Sequence, residues 1–252
     1  MSENGDKMSI TSRQENILKL VGEYKYISVQ KLAELTYTSP SSIRRDLARL
    51  ENMCFVKRTH GGVQSMEESN LPPNFKNRMS QNTALKRKIA YKAVRFLHDN
   101  QCIMLDSSST AGYLLPHIAK LKDITLFTNN MITALNAINY GISTYCIGGH
   151  AYKNSPVLSG EETYKILESI HPDIVFFSSF GLDSDGNITD PTPEENYARA
   201  IMLRNSAQSV FLCDSEKFGR RSVYSLTSAD KVTACVFNER FEKLKCKCHI
   251  VY

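Results

Sequence analysis

Short apolar runs alternate with amphipathic segments along the C-terminal two-thirds of the chain. Runs of strand length lie at 102–106, 124–129, 143–148, 173–178, 209–214 and 232–237. Between them lie segments with helical spacing of apolar residues, such as 86–98 and 194–207. This alternation predicts an α/β domain in which helices cover both faces of a mostly parallel sheet.

Polar residues collect where these strands end. In parallel sheets ligands bind beyond the carboxyl ends of the strands, so we expect these residues to meet at one edge. The predicted ligand-binding residues are Asp106, Ser107, Ser108, Ser109, Thr110, Thr128, Asn129, Asn130, Gly148, Gly149, Gly181, Asp183, Glu194, Glu195 and Lys217.

The residue types in this set favour a phosphorylated sugar as the ligand. A hydroxyl-rich loop before a helix, here 106–110, binds anions because backbone N–H groups and the helix dipole point at them. Lys217 adds a positive charge suited to phosphate. Asp106, Asp183 and the Glu194/Glu195 pair are expected to accept hydrogen bonds from sugar hydroxyls.

The segment 39–62 has the pattern of a DNA-recognition helix followed by a basic hairpin. Ser39 is a suitable N-cap, and Pro40 suits the first helical position. Isoleucine and leucine at 43, 47 and 50 form one apolar stripe. Arg44 and Arg45 fall away from that stripe, where guanidinium groups can bind phosphate or guanine.

Two further helices are predicted upstream and a wing downstream. The first opens with the capping box of Ser12 and Glu15 and ends at Gly22. The second is capped by Ser28 and joined to the recognition helix by a turn at 36–38, which is helix-turn-helix spacing. Gly61-Gly62 suits the tight turn of a wing. The predicted DNA contacts are Ser39, Ser41, Ser42, Arg44, Arg45, Lys57, Arg58 and His60.

Length and composition fit a two-domain protein. The 252 residues divide into a winged helix-turn-helix domain at 8–63, a linker at 64–80 that contains a Pro-Pro pair, and a sensor domain at 81–252. Net charge is +5, and 39–66 holds five basic residues against two acidic ones, which suits a nucleic-acid partner.

Cysteine usage and hydropathy predict a cytoplasmic protein without metal or cofactor. The seven cysteines form no disulfide framework, and no second close pair joins Cys246 and Cys248 in a zinc site. The polar start is not a signal peptide, and no apolar run reaches the ~20 residues of a membrane span.

Several motifs resemble the DeoR family of bacterial regulators, over roughly 8–240. The N-terminal motifs are R-Q-x-x-I-L at 13–18, V-x-x-L-A-E-L at 29–35, S-P-S-S-I-R-R-D-L at 39–47 and R-T-H-G-G at 58–62. The C-terminal motifs are 106–110, 128–130, 148–149 and 214–219, which resemble the family's sensor domain. That domain is similar in fold to ribose-phosphate isomerase, glucosamine-phosphate deaminase and CoA-transferase domains. The chain departs from the family pattern at Thr38, Cys54, Ser108, Ser178 and Glu216.

The resemblance implies a DNA-binding transcription regulator, a repressor of a carbohydrate-utilisation operon, controlled by a phosphorylated sugar. A homo-oligomer, dimer or tetramer, is expected because dimers mirror operator symmetry. Two alternatives stay open. One is a sugar-phosphate isomerase-like enzyme with Glu194 or Glu195 as base, although we expect no enzyme. The other is a regulator that has no small-molecule effector, suggested by Ser108 and Ser178.

Overall fold

The computed structural model describes residues 11–24, 26–52, 56–59, 61–65, 75–152 and 155–252. Contacts within the chain divide it into two units, Met1–Ser80 and Gln81–Tyr252. Of the predicted linker, 66–74 lies outside the described residues, whereas a strand reaches Ser65 and a helix covers Phe75–Ser80. Cys54 and His60 also lie outside the described residues.

In chain order the elements of the N-terminal unit are α1 (Ser12–Tyr24), β1 (Tyr26–Ser28), α2 (Val29–Leu35), α3 (Pro40–Asn52), β2 (Val56–Thr59), β3 (Gly62–Ser65) and α4 (Phe75–Ser80). Helices α1, α2 and α3 pack on a three-stranded antiparallel sheet of order β1-β3-β2. The core of the unit is apolar and drawn from every element except α4, including Ile17, Leu32, Ile43, Leu47, Leu50 and Val63.

Helix α1 differs from its prediction at both ends. The capping box is formed by Thr11 and Gln14: the N–H of Gln14 donates to Thr11 Oγ1 at 3.3 Å, and the N–H of Thr11 donates to Gln14 Oε1 at 3.1 Å. The predicted box of Ser12 and Glu15 is therefore one residue out of register. Gly22 lies inside the helix, which continues to Tyr24 because Val21 still packs in the core.

The helix-turn-helix follows the predicted pattern. Ser28 caps α2, with its Oγ accepting from the N–H of Lys31 at 3.1 Å. Ser39 caps α3, with its Oγ accepting from the N–H of Ser42 at 3.3 Å. The stripe of Ile43, Leu47 and Leu50 is fully buried, which fixes the face that α3 turns outward.

The wing contains a strand that the sequence did not reveal. Besides the predicted hairpin, β1 pairs antiparallel with β3 through Ile27 and Val63. The two wing glycines serve different purposes. Gly61 has φ +82°, and a Cβ on Gly62 would lie 2.7 Å from the carbonyl oxygen of Ile27.

The strands of the C-terminal unit are β4 (Cys102–Leu105), β5 (Thr125–Thr128), β6 (Ser143–Cys146), β7 (His150–Ala151), β8 (Leu158–Ser159), β9 (Ile174–Phe177), β10 (Gly181–Leu182), β11 (Asn187–Asp190), β12 (Gln208–Cys213), β13 (Tyr224–Ser228), β14 (Ala234–Phe237) and β15 (Ile250–Val251). Seven of them form a parallel sheet of order β15-β14-β12-β9-β4-β5-β6. The α-helices of the unit are α5 (Thr83–Ala93), α6 (Leu115–Ile118), α7 (Met131–Asn139), α8 (Glu161–Glu168) and α9 (Pro193–Asn205).

Helices cover both faces of this sheet, as predicted. Ile103 and Leu105 of β4 pack with α5 on one face, whereas Met104 packs with α8 and α9 on the other. All six predicted strands are present. The structure adds β15 at the edge, the β7-β8 hairpin, and a small antiparallel sheet of order β10-β11-β13.

The strand order reverses between β4 and β9. From β4 the chain adds β5 and β6 on one side, and from β9 it adds β12, β14 and β15 on the other. Such a topological switch point leaves a crevice at the carboxyl ends, where ligands bind in open α/β sheets. Asp106 follows β4 and Ser178 follows β9, so both lie at this point.

A buried carboxylate joins α1 to α3 and generates a testable expectation. Asp46 accepts from Arg13 Nε at 2.6 Å and from the buried Gln14 Nε2 at 3.1 Å. We expect Asp46→Ala to lower the free energy of unfolding of the N-terminal unit by about 1–3 kcal/mol, because Gln14 loses its acceptor. Hydrogen exchange of α1 and α3 amides in urea measures this. The control is Glu34→Ala, which removes an exposed ion pair to Lys31 and should cost at most about 1 kcal/mol. Equal effects of the two variants would contradict the assignment.

Candidate DNA-binding surface and ligand pocket

The outward face of α3 carries Arg44 and Arg45, and Arg49 is also exposed in the last turn of the helix. Arg44 and Arg45 form no ion pair within the described part of the chain. Ser39, Ser41 and Ser42 cluster at the start of α3, with Ser39 Oγ 3.0 Å from each of the other two hydroxyls. The first turn therefore presents small hydroxyl groups beside two unpaired guanidinium groups.

Arg58, by contrast, has a partner within the N-terminal unit. Arg58 on β2 ties the wing to α3: its Nε lies 3.0 Å from Glu51 Oε2, and its N–H donates to Glu51 Oε1 at 2.9 Å. A groove of about 700 Å³ lies between α2, α3 and the wing, and Arg44 and Arg58 both line it. Lys57 lies on β2, and its side chain is outside what the structure describes.

At the switch point of the sheet, a buried cation joins three chain segments. Arg199 of α9 donates from Nε to Asp106 Oδ2 at 2.8 Å and from Nη1 to Asp190 Oδ2. Its Nη2 lies 3.4 Å from Ser107 Oγ and 3.6 Å from Glu195 Oε2. Burial alone would lower the pKa of Arg199, but the carboxylates of Asp190, Asp106 and Glu195 raise it.

Asp106 organises the loop that follows β4. Its Oδ1 accepts from the N–H and the hydroxyl of Ser108, and its Oδ2 also accepts from the N–H of Ser178 at 3.2 Å. Ser108 Oγ in turn accepts from the N–H of Ala111 at 3.2 Å. Both Asp106 oxygens are therefore used inside the protein, and the residue holds the loop in shape.

Ser108 and Ser178, two of the residues that depart from the family pattern, are both accommodated. Ser108 is absent from the described residues with positive φ, so its backbone needs no glycine. Its hydroxyl points back to Asp106. Ser178 Oγ donates to the carbonyl of Leu212 at 2.6 Å and accepts from Lys217 Nζ at 2.8 Å. Lys217, half-buried, is thus oriented by Ser178 and lies 3.8 Å from Asp214 Oδ2.

Two buried acceptors lie at the same edge of the sheet. Asn129 Oδ1 and Asp214 Oδ1 accept no hydrogen bond within the described part of the chain. Asn129 follows β5 and Asp214 follows β12, and both are about 1% exposed. Buried acceptors are normally satisfied, so these atoms suit ligand hydroxyl groups.

Asn130 connects the first two loops of this edge. Its Oδ1 caps α7 by accepting from the N–H groups of Ile132 and Thr133, and its Nδ2 donates to the carbonyl of Ser107 at 3.1 Å. Thr128 Oγ1 accepts from the N–H of Asn130 at 3.2 Å. Ser109 and Thr110 complete the buried loop.

The remaining predicted residues serve close packing or turns. A Cβ on Gly149 would lie 1.9 Å from Thr163 Oγ1, whose hydroxyl donates to the carbonyl of Gly148. A Cβ on Gly181 would lie 2.4 Å from the carbonyl oxygen of Arg220. Glu194 is exposed in the first turn of α9.

Asp183 shapes the turn between β10 and β11. It accepts from the N–H groups of Asp185 and Asn187 at 3.0 and 2.9 Å. Burial would raise the pKa of Asp183, but these hydrogen bonds and Arg221 lower it. The carboxylate of Asp183 therefore holds the turn between β10 and β11 in shape.

Arg199 and Asp190 are site residues that the sequence reading missed. One signal was available: Arg199 follows Glu195 by four residues and lies among Ala198, Ile201 and Met202 on the buried face of a helix. A charged residue on an apolar face indicates a buried ion pair. In the described ranges no group of three or more His, Cys, Asp and Glu side chains has a metal-binding arrangement.

Comparison with known families assigns both units. A model described as the DeoR-like helix-turn-helix domain matches residues 13–69, and one described as the DeoR C-terminal sensor domain matches 81–239. The chain belongs to the DeoR family.

Relatives within the DeoR family align over nearly their whole length. The L-fucose operon activator of Haemophilus influenzae is 32% identical over 90% of this chain and 91% of its own. The transcriptional regulator GolR of Listeria innocua is 30% identical, over 92% and 91%. The glycerol-3-phosphate regulon repressor of Escherichia coli is 25% identical, over 90% of each chain.

A solved structure also aligns with part of this DeoR-family chain. Ribose 5-phosphate isomerase A of Methanocaldococcus jannaschii aligns with 55% of each chain at a TM-score of 0.42 and 19% identity. Within the described parts of the chain, every helix is too short or too polar to cross a lipid bilayer.

The buried position of Arg199 predicts a large stability effect. We expect Arg199→Met to lower the free energy of unfolding of the C-terminal unit by about 3–5 kcal/mol, because Asp106 and Asp190 remain buried without their cation. Urea denaturation followed by circular dichroism measures this.

Arg204→Met on the same helix is the matched control. Arg204 is 62% exposed and lies 3.6 Å from Glu168, so its loss should change stability by less than about 1 kcal/mol. If the two variants unfold at the same urea concentration, the network at Arg199 does not stabilise the unit.

Proposed function

We propose that this chain is a transcriptional repressor of a carbohydrate-utilisation operon that binds operator DNA through α3 and the wing. The observation that carries the proposal is the pair of exposed, unpaired arginines on a helix whose opposite face is fully buried. Arg44 and Arg45 are positioned for base edges and phosphates in the major groove. The serine hydroxyls at the start of α3 and Arg58, Lys57 and His60 of the wing are proposed to contact the backbone.

The proposed effector is a phosphorylated sugar bound at the switch point. Lys217 and the loop 107–110 are proposed to bind the phosphate, while Asn129 and Asp214 accept hydrogen bonds from sugar hydroxyls. Arg199 is buried and bound by Asp106 and Asp190, so the more accessible Lys217, 3.8 Å from Asp214 Oδ2, is the cation proposed to attract an anion. The names of relatives that act on fucose and glycerol-3-phosphate operons support a sugar-derived ligand.

Control of DNA binding requires that the effector prefer one state of the protein. A ligand with equal affinity for both states shifts nothing. We propose that effector binding releases operator DNA. Electrophoretic shift of operator DNA with and without a sugar phosphate tests the release. A reporter assay tests repression: deletion of the gene raises operon transcription if the chain is a repressor, and lowers it if the chain acts as an activator.

A homo-oligomer is part of the proposal. Met131, Leu135 and Ile138 recur at i, i+4 and i+7 along α7 and are 41%, 59% and 59% exposed. An exposed apolar stripe on a helix favours a protein partner, and a second copy suits a two-fold operator. Light scattering distinguishes monomer, dimer and tetramer.

We also propose a cytoplasmic location, where the chromosome is accessible.

No feature of the site favours the isomerase-like alternative. Glu195 is paired with Arg199, and Glu194 is exposed on the surface. The relatives named above are transcription regulators. We therefore propose that the chain is not an enzyme. Incubation with aldose and ketose phosphates, followed by detection of interconversion, tests this.

The recognition-helix assignment predicts separable functions. Arg44→Ala and Arg45→Ala should each weaken binding to a fragment from upstream of the chain's own operon by about 1–3 kcal/mol, because each removes a base or phosphate contact. Electrophoretic shift at fixed salt measures this. Arg204→Ala makes the same charge change in the other unit and should leave DNA binding unchanged. A loss of effector binding together with DNA binding in Arg44→Ala would contradict the assignment.

The pocket assignment predicts a specific loss of ligand response. In thermal unfolding, a cognate sugar phosphate at 100 times its Kd should stabilise the wild type by about 2.7 kcal/mol. Lys217→Ala should weaken that ligand by about 10- to 100-fold, because a charged hydrogen bond to phosphate is lost, while DNA binding persists. Lys231→Ala, an exposed lysine change, is the control. If no aldose phosphate, ketose phosphate or glycerol 3-phosphate stabilises the wild type, the regulator without a small-molecule effector is favoured.

A further inference from the structure

Three cysteine thiols meet at the edge of the sheet away from the effector pocket. Cys248 Sγ lies 3.2 Å from Cys246 Sγ and 3.5 Å from Cys235 Sγ. Cys235 is the second residue of β14, near the amino end of that strand, whereas the pocket lies beyond the carboxyl ends. The matched sensor-domain model ends at residue 239, so Cys246 and Cys248 lie outside it.

The backbone holds the three thiols together. The N–H of Cys235 donates to the carbonyl of His249 at 2.8 Å, and β14 pairs with β15 through Cys235 and Ile250. On the other side, the N–H of Lys247 donates to Asp230 Oδ1 at 2.6 Å. The segment that carries Cys246 and Cys248 is thus held at Lys247, between the two cysteines, and at His249 and Ile250, which follow them. The sulfur atoms are close without any bond between them.

The three thiols differ in burial and in acidity. Cys235 is fully buried, while Cys246 and Cys248 are half-buried. The contact with Cys235 lowers the pKa of Cys248 to about 7, against the opposing effect of burial, and Cys246 adds to the lowering. Burial and the Cys248 contact raise the pKa of Cys246 to about 11. Of the three thiols, Cys248 is therefore the one that most readily loses its proton.

We propose that Cys248 and Cys246 form an oxidisable dithiol site, in which Cys248 is the nucleophile toward a hydroperoxide and Cys246 resolves the product. Low proton affinity, partial access and an adjacent second thiol are the properties of redox-sensing cysteines. Cys246 is assigned as the resolving thiol because it is closer to Cys248 and more accessible than Cys235. A structural zinc site needs four protein ligands. Among the described residues no group of three or more His, Cys, Asp and Glu side chains is arranged to hold a metal ion.

The chemistry balances with hydrogen peroxide as the oxidant. The Cys248 thiolate attacks one peroxide oxygen, the O–O bond breaks, and a sulfenic acid and hydroxide form. Cys246 sulfur then attacks the sulfenic sulfur, the S–S bond forms and the S–O bond breaks. The Cys246 proton and one from solvent leave with the two oxygens, so that two thiols and one peroxide give one disulfide and two waters. A thiol reductant reverses the change.

Trypsin digestion of the full chain without reduction tests the proposal. Cleavage after Lys245 and Lys247 separates Cys246 from Cys248, so the two peptides stay joined only through a disulfide, and the peptide that contains Cys235 has a different mass. After peroxide treatment we expect the Cys246–Cys248 linked pair in the wild type and in the control Cys146→Ser, and its loss in Cys248→Ser. In Cys246→Ser we expect a Cys248 sulfenic acid that a cyclic diketone traps.

Alkylation of the untreated wild type gives a second measurement that needs no variant. At pH 7 iodoacetamide should modify Cys248 about 10-fold faster than Cys146, whose pKa burial raises. Equal rates at the two cysteines would overturn the nucleophile assignment. A linkage of Cys248 to Cys235, or no linkage at a peroxide level that oxidises Cys146, would overturn the dithiol site.

Discussion

The buried guanidinium of Arg199 is the interaction on which the C-terminal unit depends. Isolated buried charges are costly, and this one is retained because Asp106 and Asp190 both bind it. The three side chains come from the end of β4, the end of β11 and the middle of α9. Their bonding fixes the loop after β4 and the small antiparallel sheet against the carboxyl edge. The switch point is therefore shaped by the protein before any ligand arrives.

Ion pairs between arginines and carboxylates also hold the N-terminal unit together. Arg13 binds Asp46, and Arg58 binds Glu51, so these two hold α1, α3 and the wing together. Arg44 and Arg45 lie on the exposed face of α3 without such partners. Internal carboxylates thus bind Arg13 and Arg58, whereas Arg44 and Arg45 stay available for a polyanion.

The sequence predicted most of the fold and only part of the site. Apolar periodicity located α2 and α3, and apolar runs located six of the seven strands of the parallel sheet. The sequence did not reveal β1, β15 or the antiparallel strands β7, β8, β10, β11 and β13, and it placed the α1 cap one residue late. For the candidate site it predicted Asp106, Asn130 and Lys217 from their position after strands. It did not single out Asp190 or Arg199, because the bond from Arg199 to Asp106 joins residues 93 positions apart, which local spacing does not show.

By itself, therefore, the sequence determined the two-part organisation, the outward face of α3 and the set of polar residues at strand ends, because each follows from local spacing and chain order. Only the tertiary structure decided which of those residues bind each other. It turned the Ser108 hydroxyl toward Asp106, placed Ser178 against Lys217 and gathered Cys235, Cys246 and Cys248. The physical reason is that hydrogen bonds and buried ion pairs depend on distances of about 3 Å, which strand order and register set and which local sequence patterns do not encode.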